Sequence, residues 1–397
     1  MFQKFKEKDM TPQSPWYGIT LEAARLWRRG RQRLHIDRGE LDKVQAPFVL
    51  LVNHTSFYDF FYVTELLKDY RPVYVINDHI LTGIIGWLAK RTAMIPKKLF
   101  YSDTAAVKIV RALRDGIVVV IFPEGRLSVD GTNYPVLEMA GALYKMAKVD
   151  VVIARITGSY LASPKWRSAF KKTDVYISVK RVIPKGEVAA LSKKELNDII
   201  DRELTYNEWE EGTSRIKGGG RAVGLERVLY RCADCGALYT TRSRDNCFYC
   251  CACGRGHELD YSLRFIDDAR DIASYYGRIK EYERQAIEAA EEDTVLLRAI
   301  VRTKVFASGS GRAKRRERGV CTLTKKAFTY NSDNIDFSID TERLLALAFS
   351  CGSEFELYYE DELYYFYPEK NKNQVARWAL MVDLLKQMQP GVDGNDK

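Results

Sequence analysis

The stretch LLVNHTSFYDFF, residues 50–61, sets His54 and Asp59 inside a run that otherwise reads as buried core. Its upstream part belongs to FVLLV at 48–52, a short β-rich run with the look of a buried strand. Ser56 followed three residues later by Asp59 is a capping-box pattern, so a helix is expected to begin near Ser56. His54 then falls in a strand-to-helix turn at the carboxyl end of a strand, where open α/β sheets bind their ligands. An aspartate on the first helical turn can point back at the imidazole, fix its tautomer and stabilise its protonated form. Such a pair is a competent general base for a hydroxyl. A structural histidine beside a capping aspartate is the alternative that these residues leave open.

Further β-rich runs lie at 73–76, 117–122, 151–156 and 175–182, and helical stretches at 57–68, 80–91, 104–115, 136–148 and 194–210. Strands and helices alternate, which predicts a largely parallel α/β sheet with flanking helices over residues 1–215. A Gly-rich basic break, KGGGRAVG at 217–224, predicts a linker over 216–224, and the composition then turns to cysteine, arginine and tyrosine. Six of the eight cysteines lie between 232 and 253. Cys232-x2-Cys235 and Cys250-x2-Cys253 are separated by 14 residues, and each pair is followed by a glycine, Gly236 or Gly254. This is near-ribbon spacing, so a zinc ribbon is expected over 225–262, and four thiolates leave no open coordination position, so the zinc is expected to be structural. Cys247 and Cys251 are surplus, with Cys247-x2-Cys250 a competing pair, and His257 reads as an exposed loop histidine. A helical, charged connector is expected over 263–300. A small β-rich domain over 301–397 follows, with turns at SGSG, YNSDN and YYEDE and a closing helix, QVARWALMVDLLKQM. Several strands capped by one C-terminal helix resemble a pleckstrin-homology-like (PH-like) barrel.

Residues 121–128 read IFPEGRLS, again directly after a β-rich run. With NHTSFYD they resemble the lysophosphatidate (glycerolphosphate) acyltransferase superfamily, whose first block is NHxSxxD and whose third is FPEG. Asn53, His54, Ser56 and Asp59 match the first block, and Phe122, Pro123, Glu124 and Gly125 the third. RITG at 155–158 extends the likeness, which covers roughly the first 210 residues, a length typical of one domain. The resemblance implies an acyltransferase-type mixed sheet and a reaction in which His54, held by Asp59, deprotonates a lysophospholipid hydroxyl as it attacks an acyl thioester. The donor would be acyl-CoA or acyl-carrier-protein. It also implies an acceptor site that draws on Asn53, Ser56, Glu124, Gly125 and Arg126. Three departures stand out: Arg126 and Leu127 follow FPEG where many members have Thr then Arg, MIPKK offers Lys97 and Lys98 in place of the second block's arginine, and Ile153 stands where the fourth block usually has proline. Lysine pairs with phosphate as a point charge, without the bidentate fork of arginine.

At 397 residues the chain is long enough for two or three domains, and 46% hydrophobic with 29% charged residues excludes extended disorder and a multi-span membrane protein. The net charge of +9 calls for an anionic partner, whether nucleic acid, membrane surface or phosphorylated substrate. Arg25, Arg28, Arg29, Arg31 and Arg33 crowd a segment that also carries Trp16, Tyr17, Ile19, Leu21, Leu26 and Trp27, a mixture suited to a lipid headgroup layer. Leu81, Ile84, Ile85 and Leu88, with Trp87 beside them, form a second apolar stripe that is either core or a membrane-facing door. The opening MFQKFKEKDM lacks a signal-peptide pattern, and no run of 18 apolar residues occurs, so a cytoplasmic protein, peripheral on the inner face of the membrane, is expected. GRAKRRER at 311–318 adds a basic run. Anionic lipid, rather than nucleic acid, is the partner consistent with the first domain. Two other readings compete with the enzyme: a nucleic-acid-binding zinc protein with a vestigial α/β domain, and a phospholipid-binding adaptor with an inert one. Intact His54 and Asp59 favour the enzyme.

Overall fold

FVLLV forms β2 (Phe48–Val52), and all five of its side chains are buried. It can be apolar on both faces because it sits at the centre of a sheet that is covered on both sides. In the computed structural model, which describes residues 15–77, 94–97, 105–136, 140–307, 313–344 and 346–389, the chain divides into two units. One comprises Met1–Lys165 and Ala169–Gly218, the other Trp166–Ser168 and Gly219–Lys397.

The first unit is built on a seven-stranded sheet of order β1-β7-β6-β2-β5-β3-β4. Its other strands are β1 (Arg33–Asp37), β3 (Val73–Asn77), β4 (Met94–Lys97), β5 (Val119–Ile121), β6 (Asp150–Thr157) and β7 (Asp174–Ile183). The run β6, β2, β5, β3, β4 is parallel throughout, whereas β7 pairs antiparallel with β6 and parallel with β1. Val49 and Leu51 face one core with Ile109 and Leu113 of α3 (Ala105–Arg114), Tyr144 of α4 (Ala140–Ala147) and Leu196, Ile200 and Leu204 of α7 (Lys193–Leu204). Phe48, Leu50 and Val52 face the other with Tyr62, Val63 and Leu66 of α2 (Asp59–Leu66). Two short helices, α5 (Ser159–Ala162) and α6 (Lys185–Ala190), precede α7, and α8 (Glu208–Glu211) follows it. The single helix expected over 194–210 is thus two, because Asn207 caps a new one by accepting from Trp209 N at 3.0 Å.

The N-terminal helix α1 (Pro15–Arg29) turns part of its basic charge inward: Arg28 is buried and meets Glu65 of α2 at 2.8 Å. Ile19 and Leu26 stand exposed, seven residues apart and so on one face. The expected helix over 80–91, with its apolar stripe and Trp87, lies outside the described residues.

In the second unit, β8 (Thr241–Arg244), β9 (Cys247–Cys250) and β10 (Gly256–Glu258) form an antiparallel sheet of order β10-β9-β8. The expected linker is packed rather than loose. Arg221 and Ala222 are buried, and Arg221 Nε donates to Leu259 O at 2.6 Å. The expected connector is likewise a core element: α9 (Ile272–Ala289) buries Ile272, Tyr275, Tyr276, Ile279 and Ile287. Strand pairing then begins at Leu297, before the expected 301.

The last part is a seven-stranded antiparallel sheet of order β14-β13-β12-β11-β17-β16-β15. It comprises β11 (Leu297–Ala307), β12 (Arg315–Leu323), β13 (Ala327–Ser332), β14 (Asp336–Asp340), β15 (Ala348–Ser350), β16 (Glu354–Tyr359) and β17 (Glu362–Pro368). Helix α10 (Gln374–Gln387) closes it, with Trp378 stacked on Phe355 at 5.0 Å. Glu283 of α9 is fully buried and clasped by two arginines, Arg231 from the cysteine-rich segment at 3.3 Å and Arg377 from α10 at 3.0 Å.

Candidate active site

Because β6, β2 and β5 are adjacent and parallel, their carboxyl ends open on the same edge, and the segments leaving them are brought together there. Asn53, the first residue after β2, is buried and sews that end to β6. Its Nδ2 donates to Ile156 O at 2.9 Å, and its Oδ1 accepts from Ile156 N at 2.7 Å. His54 follows, with its N–H on Glu124 Oε1 at 2.9 Å and its carbonyl accepting from Ser128 N at 3.0 Å. The NHTSFYD and IFPEGRLS segments are therefore joined through backbone groups as well as side chains.

Asp59 is fully buried at the first turn of α2. One oxygen, Oδ2, accepts from His54 Nδ1 at 3.0 Å, Thr55 N at 2.8 Å and Ser56 N at 2.9 Å. The other, Oδ1, accepts from Ser159 Oγ at 2.5 Å. Asp59 thus accepts four hydrogen bonds, three on one oxygen and one on the other, at the N-terminus of α2. The expected helix start at Ser56 moves to Asp59: Ser56 Oγ accepts from Tyr58 N at 3.3 Å instead of capping, and Asp59 draws the turn's N–H groups onto itself. Ser56 is buried within this turn. With Nδ1 committed to Asp59, Nε2 is the nitrogen left for chemistry. The His54 side chain keeps 22% of its surface exposed and stacks on Phe122, ring centroids 4.2 Å apart.

Glu124 is buried, and both its oxygens hold backbone, Oε1 on His54 N and Oε2 on Tyr134 N at 3.0 Å. Burial pushes its carboxyl up to about 8. Gly125 closes the FPEG turn with its N–H on Phe122 O at 3.1 Å, and its carbonyl accepts from Asn77 Nδ2 at 3.3 Å. Arg126 lays its guanidinium over the Tyr134 ring at 3.7 Å. Lys97 ends β4 on the sheet's edge, half-buried, and Lys98 lies outside the described residues. Ser159 was not singled out from sequence; its only signal is that it is a small polar residue two positions beyond β6, directly after RITG.

In the second unit the Sγ atoms of Cys232, Cys235, Cys250 and Cys253 lie within 4.8 Å of one another. Cys232 to Cys253 is 3.8 Å and Cys235 to Cys250 is 3.9 Å. A tetrahedral ion bound by four thiolates at about 2.3 Å needs sulfur–sulfur edges of about 3.8 Å. The two CxxC turns mirror each other: Gly236 N donates to Cys232 O at 2.9 Å, and Gly254 N to Cys250 O at 3.0 Å. Both glycines have left-handed backbone, φ 72° and 74°, which a side chain would strain. The four thiols are thus placed to hold a metal ion, with Cys247 and Cys251 outside the group. His257 is on β10 and buried, not an exposed loop residue. Its ring packs on Phe265, and the carboxylates of Asp234, Asp267 and Asp268 lie 3.4–3.7 Å from its nitrogens.

The carboxyl edge of the first unit's sheet thus presents an imidazole fixed by a buried carboxylate. Residues 33–157, which contain His54, Asp59, Glu124 and Arg126, match the family model described as Acyltransferase. Among solved structures, the 1-acyl-sn-glycerophosphate (LPA) acyltransferase PlsC from Thermotoga maritima is similar at 16% identity, over 51% of this chain and 82% of that one, with a TM-score of 0.39. At that level the structural likeness carries no assignment of its own.

Proposed function

We propose that this chain moves a fatty acyl group from a thioester, acyl-CoA or acyl-carrier-protein, to the hydroxyl of a lysophospholipid resembling lysophosphatidate, in phospholipid synthesis or remodelling. The observation that carries the reading is the 3.0 Å contact between His54 Nδ1 and the buried Asp59, inside a segment that matches the acyltransferase family. As the acceptor oxygen attacks the thioester carbonyl, its proton passes to His54 Nε2. The tetrahedral intermediate then expels the thiolate, the C–S bond breaks, and the same proton goes to sulfur. Asp59 keeps its place throughout and stabilises the transient imidazolium. Arg126 and the lysines at 97 and 98 supply cations for the acceptor's phosphate, and the turn at Gly125 orients it.

The exposed Ile19 and Leu26 on α1, with Arg29 at the helix end, support peripheral attachment to a membrane, and its cytoplasmic inner face is the side proposed. Thiol spacing that suits a tetrahedral ion supports a structural zinc held by Cys232, Cys235, Cys250 and Cys253 in a ribbon. Seven antiparallel strands closed by α10 support a PH-like module. Incubating the protein with a panel of lysophospholipids and acyl thioesters, and identifying products by mass, tests the reading. Diacylated product from wild type and none from His54→Ala is expected; no product from any pair would end it.

A further inference from the structure

We propose that Ser159 is a positioning residue of this site, acting on His54 through Asp59; the inference rests on the reading of His54 as a base. Asp59 Oδ2 takes three donors from its own turn, whereas Ser159 Oγ, 100 residues away, is the donor recorded on Oδ1. Both residues are fully buried. The three contacts at Oδ2 converge on one atom and leave the carboxylate free to pivot about it. The fourth contact, at 2.5 Å on the other oxygen, sets the plane of the carboxylate and hence the direction in which Oδ2 meets His54 Nδ1. The other ionisable groups close to Asp59 are Tyr62, held neutral by burial and by the charge of Asp59, and Glu124. Neither is recorded as a donor to Oδ1.

The placement follows from the sheet. Ser159 leads α5 directly beyond β6, and Asp59 leads α2 beyond β2, the strand beside it. Asn53 holds the ends of these strands in register through Ile156, three residues before Ser159. One strand therefore supplies the base and its aspartate, and its neighbour supplies the group that aims the aspartate.

Ser159→Ala removes one oxygen and changes little volume. Its kcat should fall about ten- to a hundred-fold, the cost of a slightly misplaced catalytic group, with KM for both substrates nearly unchanged. In an Asp59→Asn background the same substitution should cost less than about three-fold, since residues acting through one another are not additive. The proton resonance of His54 Nδ1–H, read by NMR on 15N-histidine-labelled full chain, should move in Ser159→Ala. That readout needs no substrate: if wild type transfers no acyl group but the resonance moves, the acyl-transfer reading fails and the positioning role stands. An unmoved resonance, a kcat above half of wild type, or a full repeat of the loss in the Asp59→Asn background would each overturn it. Ser159→Cys, close in volume and a poor donor, repeats the test should the alanine variant not fold.

Discussion

At His54 the imidazole is fixed by Nδ1 on Asp59 and by its face on Phe122, while about a fifth of the side chain meets solvent. His54→Ala should therefore remove the base without opening a core, costing at least about 100-fold in turnover with an unchanged circular dichroism spectrum. A variant that keeps a tenth of wild-type turnover would sink the base assignment. Glu124 is a different kind of residue. Its folded-state value of about 8 stands above the ordinary 4.5 because the carboxyl is buried. Between those pH values the folded chain holds a proton that the unfolded chain has released, so stability falls as pH rises through the window, by at most about 1.4 kcal/mol per unit. Glu124→Gln should lack this slope. Melting temperatures of both proteins from pH 5 to pH 8 check it, and parallel curves would refute it. His54, Asp59 and Glu124 could be singled out as candidates because they stand in the short motifs NHTSFYD and FPEG. That Asp59 serves the turn's backbone and the imidazole together, and that Ser159 meets it from 100 residues away, was not legible in the sequence, because neither fact has a local pattern.

The strands that sequence reading found, β2, β3, β5, β6 and β7, carry dense apolar runs. The two it missed in the first unit, β1 and β4, are the edges of the sheet. β1, RLHID, is largely exposed, and β4, MIPK, contains Pro96, which only an edge strand tolerates readily. Edge strands need only one covered side and so lose the signal that marks a centre. Asn53, expected to contact substrate, has its amide on Ile156 at the junction of β2 and β6. Asn53→Ala should leave two buried backbone groups unpaired and destabilise the first unit by roughly 2–4 kcal/mol. Chemical denaturation measures this directly. An unchanged midpoint with a raised KM would return Asn53 to the substrate.

On the scale of the whole molecule, the composition changes after KGGGRAVG, and the second unit takes Trp166–Ser168 as well as Gly219 onward. The close packing of that segment was not legible in the sequence, because a Gly-rich basic run gives no sign of a partner for Arg221. Cys232→Ser with Cys235→Ser should abolish binding of one zinc per chain, measured by metal analysis, while the first unit keeps its helix and sheet signal and some acyl-transfer activity, since it has its own core and no cysteine ligand. Zinc retained in full by that variant would refute the ligand set. Glu283 carries a further consequence. Its two arginines come from the cysteine-rich segment and from the helix that closes the seven-stranded sheet, and stranding a buried carboxylate by loosening either costs several kcal/mol. Those regions should therefore unfold as one cooperative foldon, not as beads on a string. Differential scanning calorimetry should record their melting as a single transition, and a chelator should drag that entire transition downward, including the β11–β17 sheet, which supplies none of the four cysteines.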